Sequence, residues 1–554
     1  MGQGPALATP QLPPGGPGLQ RRALLAAGAS AGLLGLAGCS ARDNPPPPTA
    51  WVGARHERGH RLRDMAAQPA WPAPASQRQA GVLIVGAGIA GLAAARAFAR
   101  AGIDDVHLLE LEDQAGGNSR GHQMAGMGCP LGAHYLPLPG PESREVAEWL
   151  HELGLLRQEL GRTVAEERHL CHSPQERLFI DGAWVEGLLP PAEPGSRAAQ
   201  QVQRFAQALA AVQARSSSAK ARAFAQPAHR SAWTPELAAL DSQLFAPWLA
   251  AQGLDDPRLL WYLDYCCRDD YGAGLDGVSA WAGLHYFGSR HGFHAPGQAE
   301  AERDAVFTWP EGNAWLVQRL AAPFKDRLHT GRSVLRVEEG RHSVQVLAWD
   351  EAAQHLEAWT APQVVLALPL FVAARVLQSP PEALRQAAAL LPGTLQAPWL
   401  VANLHLSRPL LDRPGAPPSW DNVVYGQRGL GYVDDMHQSL RPYAGPTVIT
   451  AYHALPVTEG AMLLADDPAP WRDRVLQELQ VAHPDIQRSV HQVDLMRWGH
   501  AMAVPRPGVQ RHPALRALRA ARGRVRFAHA DLGGCSVFEE AFTAGCEVTG
   551  PAAG

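Results

Sequence analysis

Gly81 to Leu92 reads GVLIVGAGIAGL, and the fold is decided there. Val82-Leu83-Ile84-Val85 is an unbroken apolar run, the mark of a buried parallel strand. It breaks into Gly86-Ala87-Gly88-Ile89-Ala90-Gly91, and Leu92 to Ala101 continues as an alanine-rich helix. Strand, glycine turn and helix together give a GxGxxG the context it needs. Gly86 makes the tight turn, Gly88 keeps no side chain between backbone and pyrophosphate, and Gly91 lets the helix lie close on the strand. Free amides at Ile89 and Ala90 and the positive end of the helix dipole then meet the phosphates. A second apolar run, Val106 to Leu111 (VHLLEL), carries Glu110, 19 residues after Gly91. A carboxylate there accepts hydrogen bonds from the ribose hydroxyls of an adenosine.

The segment after Glu110 selects the dinucleotide. Leu111-Glu112-Asp113-Gln114-Ala115-Gly116-Gly117-Asn118-Ser119-Arg120 resembles the extension that flavin amine oxidases carry after their second strand. Gly116 and Gly117 keep the family spacing; Asn118 stands where arginine is usual, with Arg120 two places on. Gly132-Ala133-His134-Tyr135 is similar to the family's turn beside the flavin. Near the other end, Arg524 to Asp531 resembles the last strand, whose acid touches the ribityl chain, and Val537 to Gly545 the final helix, whose N-terminus, here Val537-Phe538, faces the flavin pyrimidine. A positive helix end there favours the anion formed on reduction. The resemblance covers most of residues 81 to 550 and implies FAD as cofactor. It also implies an α/β fold in which a Rossmann-type FAD-binding domain is interleaved with a mixed α+β substrate domain. The expected FAD-binding pieces are residues 81–140, 306–375 and 496–554; the substrate-domain pieces are 141–305 and 376–495.

Residues 1–39 read as an export leader. Arg21-Arg22 precede an apolar stretch from Ala23 to Ala37, too short and too rich in glycine and alanine for a membrane span. Twin arginines there indicate the Tat machinery as partner, which moves folded proteins. Leu36-Ala37-Gly38-Cys39 looks like a lipobox, with Cys39 as the acylated anchor of a periplasmic lipoprotein. Residues 40–80 are expected to be a proline-rich spacer, stiff at Pro45 to Pro48, and Arg55 to Pro74 to wrap the surface.

The remaining chain is long enough for two domains. A formal net charge of −4 and no basic stripe beyond the leader exclude a nucleic-acid surface. Cys129, Cys171, Cys266, Cys267, Cys535 and Cys546 are expected as free thiols, since a Tat substrate folds in a reducing cytoplasm, and no Cys/His spacing suggests a metal. Lysine occurs only at Lys220 and Lys325.

Helices are expected over Glu142–Leu156, Arg197–Ala214, Ser217–Ala225, Leu237–Tyr271 and Asp466–Ala482, and a hairpin over Arg177–Val185, turning at Asp181-Gly182. A glycine-rich loop, Gly288 to Gly297, carries Arg290, His291 and His294 and is a candidate cavity roof or a plain surface loop. Thr308 to Asn313 opens a helix at Ala314, with Glu311 replacing the family's glycine. His329 to Val337 is the expected adenine strand, with Val334 in contact. Leu400–Leu406, Asn422–Tyr425, Arg428–Val433 and Thr447–His453 are expected to build an antiparallel sheet. Arg497 to Pro505 resembles the segment laid over the flavin, with Trp498 as a contact.

In such proteins the flavin accepts a hydride and the chain supplies position, electrostatics and desolvation. Tyr135, Glu311 and His500 are the candidate catalytic residues, the last two as base or anchor. The family's lysine near the flavin has no counterpart, which removes one support for reoxidation by oxygen. The expected function is oxidation of a small organic substrate, amines first, with Glu311, Asp269, Asp270 and Asp434 as acidic groups favouring polyamines. A desaturase or isomerase of an apolar substrate, or a tethered non-catalytic flavoprotein, are the alternatives.

Overall fold

The computed structural model describes residues 45–66, 71–293, 305–439, 445–465 and 467–549. The leader, Cys39 and His294 lie outside them. The chain divides into two units, Met1–Pro46 and Pro47–Gly554, and the architecture that follows belongs to the second.

Five strands form an all-parallel sheet in the order Leu328–His329, Val106–Leu109, Val82–Val85, Gln363–Leu366, Val525–Phe527. Every residue of Val82–Val85 is buried, as a central strand covered on both faces requires. The helix after the glycine turn is Ile89–Arg100, and it packs on the C-terminal helix Phe538–Cys546. That contact is close: a Cβ on Gly545 would stand 2.2 Å from the Ala90 carbonyl oxygen.

An eight-stranded sheet forms the second layer, in the order Thr49–Trp51, Val490–Met502, Ala397–Leu406, Thr447–Ala454, Tyr432–Asp434, Asp421–Val424, Glu176–Ile180, Ala183–Glu186. The expected antiparallel sheet is thus mixed, because Thr49–Trp51 and Glu176–Ile180 both pair in parallel with their neighbours. Arg428 to Gly431 stays outside the strand that begins at Tyr432. The hairpin turns at Asp181-Gly182, both at positive φ.

Several expectations are corrected. The spacer and surface wrap are part of the fold from Pro47 on: Thr49–Trp51 is an edge strand, His56–Ala66 is a helix, and Ser76–Gln79 adds to a four-stranded sheet. Arg58 fixes that helix, buried against the Leu111 carbonyl (3.2 Å) and Asp113 (2.7 Å). Ser217–Ala225 is not helical; the preceding helix, Arg197–Ser216, ends there with Ser217 extended. Leu237–Tyr271 is three helices, Pro235–Asp241, Phe245–Ala251 and Pro257–Tyr271, the last restarted by an Asp256 cap and Pro257. The His329–Val337 strand is split at Gly331 (φ +64°), so that Leu328–His329 serves the parallel sheet and Arg332–Glu339 an antiparallel one. The six described cysteines are free thiols, and no described helix is long and apolar enough to cross a membrane.

Candidate active site

The nucleotide cradle begins at Gly86, whose φ of +97° only glycine adopts easily, and where a Cβ would stand 2.4 Å from the Ala367 carbonyl oxygen. At Gly91 a Cβ would come within 1.9 Å of the Gly86 oxygen. Gly88 caps the helix without any side chain bonding its first amides, so Ile89 and Ala90 open a positive, unsatisfied helix end. Gly88 bridges to Gly116, and Gly116 donates to Ala87 O (2.8 Å), so both glycine segments run side by side. Glu110 is buried and accepts from the amides of Ala87 (2.8 Å) and Glu112 (3.0 Å), while burial raises its pKa. These features fit the pyrophosphate and ribose of a dinucleotide.

Ser119 and Arg120 are buried next to the cradle. Arg120 donates to Gly117 O (3.2 Å) and its guanidinium lies 4.9 Å over the Trp498 ring. Asn118, in the place of the family's arginine, spans to Ala501 O (2.6 Å) and so ties this segment to the long Val490–Met502 strand. Gly132 is forced to be glycine, since a Cβ would stand 2.2 Å from Asn118 O, and Ala133 donates to that same oxygen (2.8 Å). Val334 is half-buried and shares a cluster with Leu62 of the N-terminal helix. Asp531 is buried and already accepts from Leu370 N (2.9 Å) and contacts His529 (3.2 Å). The C-terminal helix starts at Phe538 with Val537 as an uncapped N-cap, and Phe538 stacks on Phe542.

Beyond Gly132 the chain enters a chamber walled by aromatic rings. His134 stacks on Tyr452 at 4.4 Å, Tyr135 meets Trp420 edge-on at 6.0 Å, and Tyr452 donates to Gly132 O (3.1 Å). Trp261 and Tyr425 extend the wall, 4.7 Å apart. Burial lowers the His134 pKa to about 4, so this ring is neutral near pH 7. Asp269 and Asp421 lie deep in the protein yet keep part of their surface accessible. Tyr135 donates its hydroxyl to Asp269. Burial, with Asp270 beside it, pushes the Asp269 carboxyl up to about 7. Burial raises Asp421 well above the carboxylate range, with Asp269 and Glu176 adding repulsion. Asp269 and Asp421 therefore repel each other in a low-dielectric setting, with Glu176 close enough to add to the repulsion on Asp421.

Behind Asp269, Asp270 binds Arg290 at 2.8 Å, and Arg290 reaches Glu539 of the C-terminal helix at 3.4 Å. Burial opposes the Arg290 charge, but Glu539 and Asp270 more than offset it. Arg290 lies on a turn of π-helix, Phe287–His291, so the expected loop begins as helix, a distortion that often marks functional sites.

Other candidates do not reach the chamber. The His500 ring packs edge-on to Phe371 (5.1 Å) and its Nδ1 pairs with Gly393 O (2.9 Å), so it anchors a turn. Glu311 is half-buried against Gly121 and Gly128, with Arg319 as its cationic neighbour. Asp434 lines a separate cavity of about 480 Å³ with Arg177 and His483. Lys220 and Lys325 are both exposed. Sequence reasoning missed Asp421, Glu176, Trp420 and Tyr452; the one available signal was Asp421 opening an apolar strand.

The family model described as flavin containing amine oxidoreductase matches residues 89–549. The chain belongs to that family. This amine oxidoreductase accordingly uses FAD, in agreement with the cradle. No curated protein matches its sequence. Among solved structures it is similar to a putrescine oxidase bound to putrescine, at 18% identity and TM-score 0.61, over 85% of this chain and 98% of that one. A cyclohexylamine oxidase from Brevibacterium oxydans IH-35A aligns at 19% identity and TM-score 0.61, over 85% and 97%. A fatty acid isomerase from P. acnes aligns at 17% identity and TM-score 0.56, over 85% and 98%. These likenesses bear on the fold of the oxidoreductase.

Proposed function

We propose that the protein oxidises the C–N bond of a small cationic amine, with di- and polyamines as the favoured class. One observation carries this reading: Asp269, Asp421 and Glu176 converge inside an aromatic-walled chamber. A fatty acid would bring an anion toward those carboxyls, whereas an ammonium is attracted to them. FAD, when bound, accepts the hydride. Asp269, poised near neutral pH, takes a proton from the reacting ammonium, and Tyr135 orients its carboxyl. Asp421 and Glu176 hold the distal ammonium, and the aromatic rings exclude water and face the cation.

We also propose export by the Tat route and acylation at Cys39 in the periplasm, supported by the leader sequence. Radiolabelled palmitate incorporation, lost in Cys39→Ala, tests it. The activity is tested by anaerobic titration of the FAD-loaded protein with putrescine, spermidine, butylamine and linoleate while flavin absorbance is followed. Bleaching by the diamines at lower concentration than by butylamine is expected. Bleaching by linoleate alone, or by dithionite but no amine, overturns the proposal.

A further inference from the structure

An arm of the chain, Pro47 to Ala66, runs from the eight-stranded sheet to the nucleotide cradle, ahead of the matched residues 89–549. Thr49–Trp51 pairs with the long Val490–Met502 strand. Gly53 then turns the arm at a φ of +81°, where a Cβ would stand 2.6 Å from Met496 Sδ, and the Ala54 amide donates to that sulfur (3.3 Å). The helix His56–Ala66 follows and buries Met65 against Leu335, Leu347 and Leu356 of the four-stranded sheet.

The arm meets the cradle at the turn after Glu110. The Arg55 amide faces both carboxylate oxygens of Glu112 at 3.3 Å. Arg58 is buried, donates to Leu111 O (3.2 Å) and Asp113 (2.7 Å), and lies 3.7 Å from Glu112. Arg120 lies 4.0 Å from the same Glu112 carboxylate. The arm thus holds Leu111, Glu112 and Asp113 together, and charge-assisted bonds of this kind are the strong ones.

That turn in its turn holds Glu110. The Glu112 amide donates to Glu110 Oε1 (3.0 Å), and the Ala87 amide of the glycine turn donates to Oε2 (2.8 Å). Each oxygen keeps a second lone pair for a ribose hydroxyl. A shift of Leu111–Asp113 moves one of the two amides that aim this carboxylate. Three residues along the same helix, Arg61 binds Glu351 through Nε (3.0 Å) and Nη2 (2.9 Å), and so anchors the helix elsewhere.

We infer that Arg58 is a positioning residue for the coenzyme: from the N-terminal arm it holds Leu111–Asp113, that turn aims Glu110 at the adenosine ribose, and FAD release is slowed as a result.

The test follows flavin passing an ultrafiltration membrane from full-length, FAD-loaded wild type, Arg58→Gln, Arg58→Lys and Arg61→Gln. Arg58→Gln is expected to release FAD roughly tenfold faster, as loss of a bond to a charged group implies. Arg58→Lys, which keeps the charge and fewer donors, falls between it and wild type, and Arg61→Gln stays within about twofold of wild type. The absorbance and midpoint potential of the flavin still bound are unchanged, because the reactive ring lies at the other end of the coenzyme. Should Arg58→Gln not fold, Arg58→Lys decides, and release from it at the wild-type rate overturns the inference. Release from Arg58→Gln within about twofold of wild type, or from Arg61→Gln as fast as from Arg58→Gln, overturns it also.

Discussion

Asp269→Asn removes the chamber charge that titrates near neutrality. In the free protein its carboxyl stands at about 7, and burial raises Asp421 above the ordinary carboxylate range as well. A bound ammonium must therefore displace a proton from Asp269 below pH 7, so affinity falls about tenfold for each pH unit of acidification. Two unit charges about 4 Å apart at an effective dielectric near 20 attract by about 4 kcal/mol. Deleting one partner of a buried charge pair costs about 2–5 kcal/mol. A loss of about 3 kcal/mol corresponds to roughly a hundredfold fall in kcat/KM for putrescine. The assay is steady-state oxidation of putrescine with an artificial electron acceptor from pH 5.5 to 9, at matched flavin content. The wild type shows a break near pH 7 that Asp269→Asn lacks. An unchanged break in Asp269→Asn, or kcat/KM within threefold of wild type, refutes the assignment.

Gly91→Ala drives a methyl group into the Gly86 carbonyl oxygen, and the purified protein is expected to be colourless, read directly from its visible spectrum. His500→Ala loses one hydrogen bond to Gly393, about 1 kcal/mol in a urea titration, and leaves kcat/KM within threefold. Glu540 is buried at the start of the C-terminal helix with its carboxyl raised by burial to about 7, above the value of an unfolded chain. Its ionisation therefore weighs against folding increasingly as pH rises from about 4.5 to 7. Glu540→Gln should stabilise by about 3 kcal/mol at pH 8, with the gain vanishing toward pH 4.5, as followed by thermal melts across that range.

The nucleotide cradle was legible because its residues are constrained by local geometry: Gly86, Gly91 and Gly132 admit no Cβ, and each lies in a short motif. The parallel strands were legible for the related reason that burial on both faces leaves an unbroken apolar run such as Val82–Val85. The chamber was only half legible. Tyr135 and Asp269 stood in recognisable segments, but Glu176, Asp421 and Tyr452 come from strands far apart in sequence, and only sheet pairing unites them. His500 misled because a histidine two places after Trp498 carries no sign of whether its ring faces a chamber or bonds a carbonyl. The N-terminal strand and helix were missed since prolines and arginines hid Thr49–Trp51 and the Arg58 anchor, both of which depend on tertiary partners.

The packing of Gly545 against Ala90 sets the order of events in the cell. The helix that receives the phosphates, Ile89–Arg100, is made well before the helix that closes over it, Phe538–Cys546. Coenzyme capture therefore waits until Phe538–Cys546 has been made, and a product truncated before Phe538 would accumulate as apoprotein. If the chain is exported as proposed, loading has to be complete before it leaves the side where the coenzyme is synthesised.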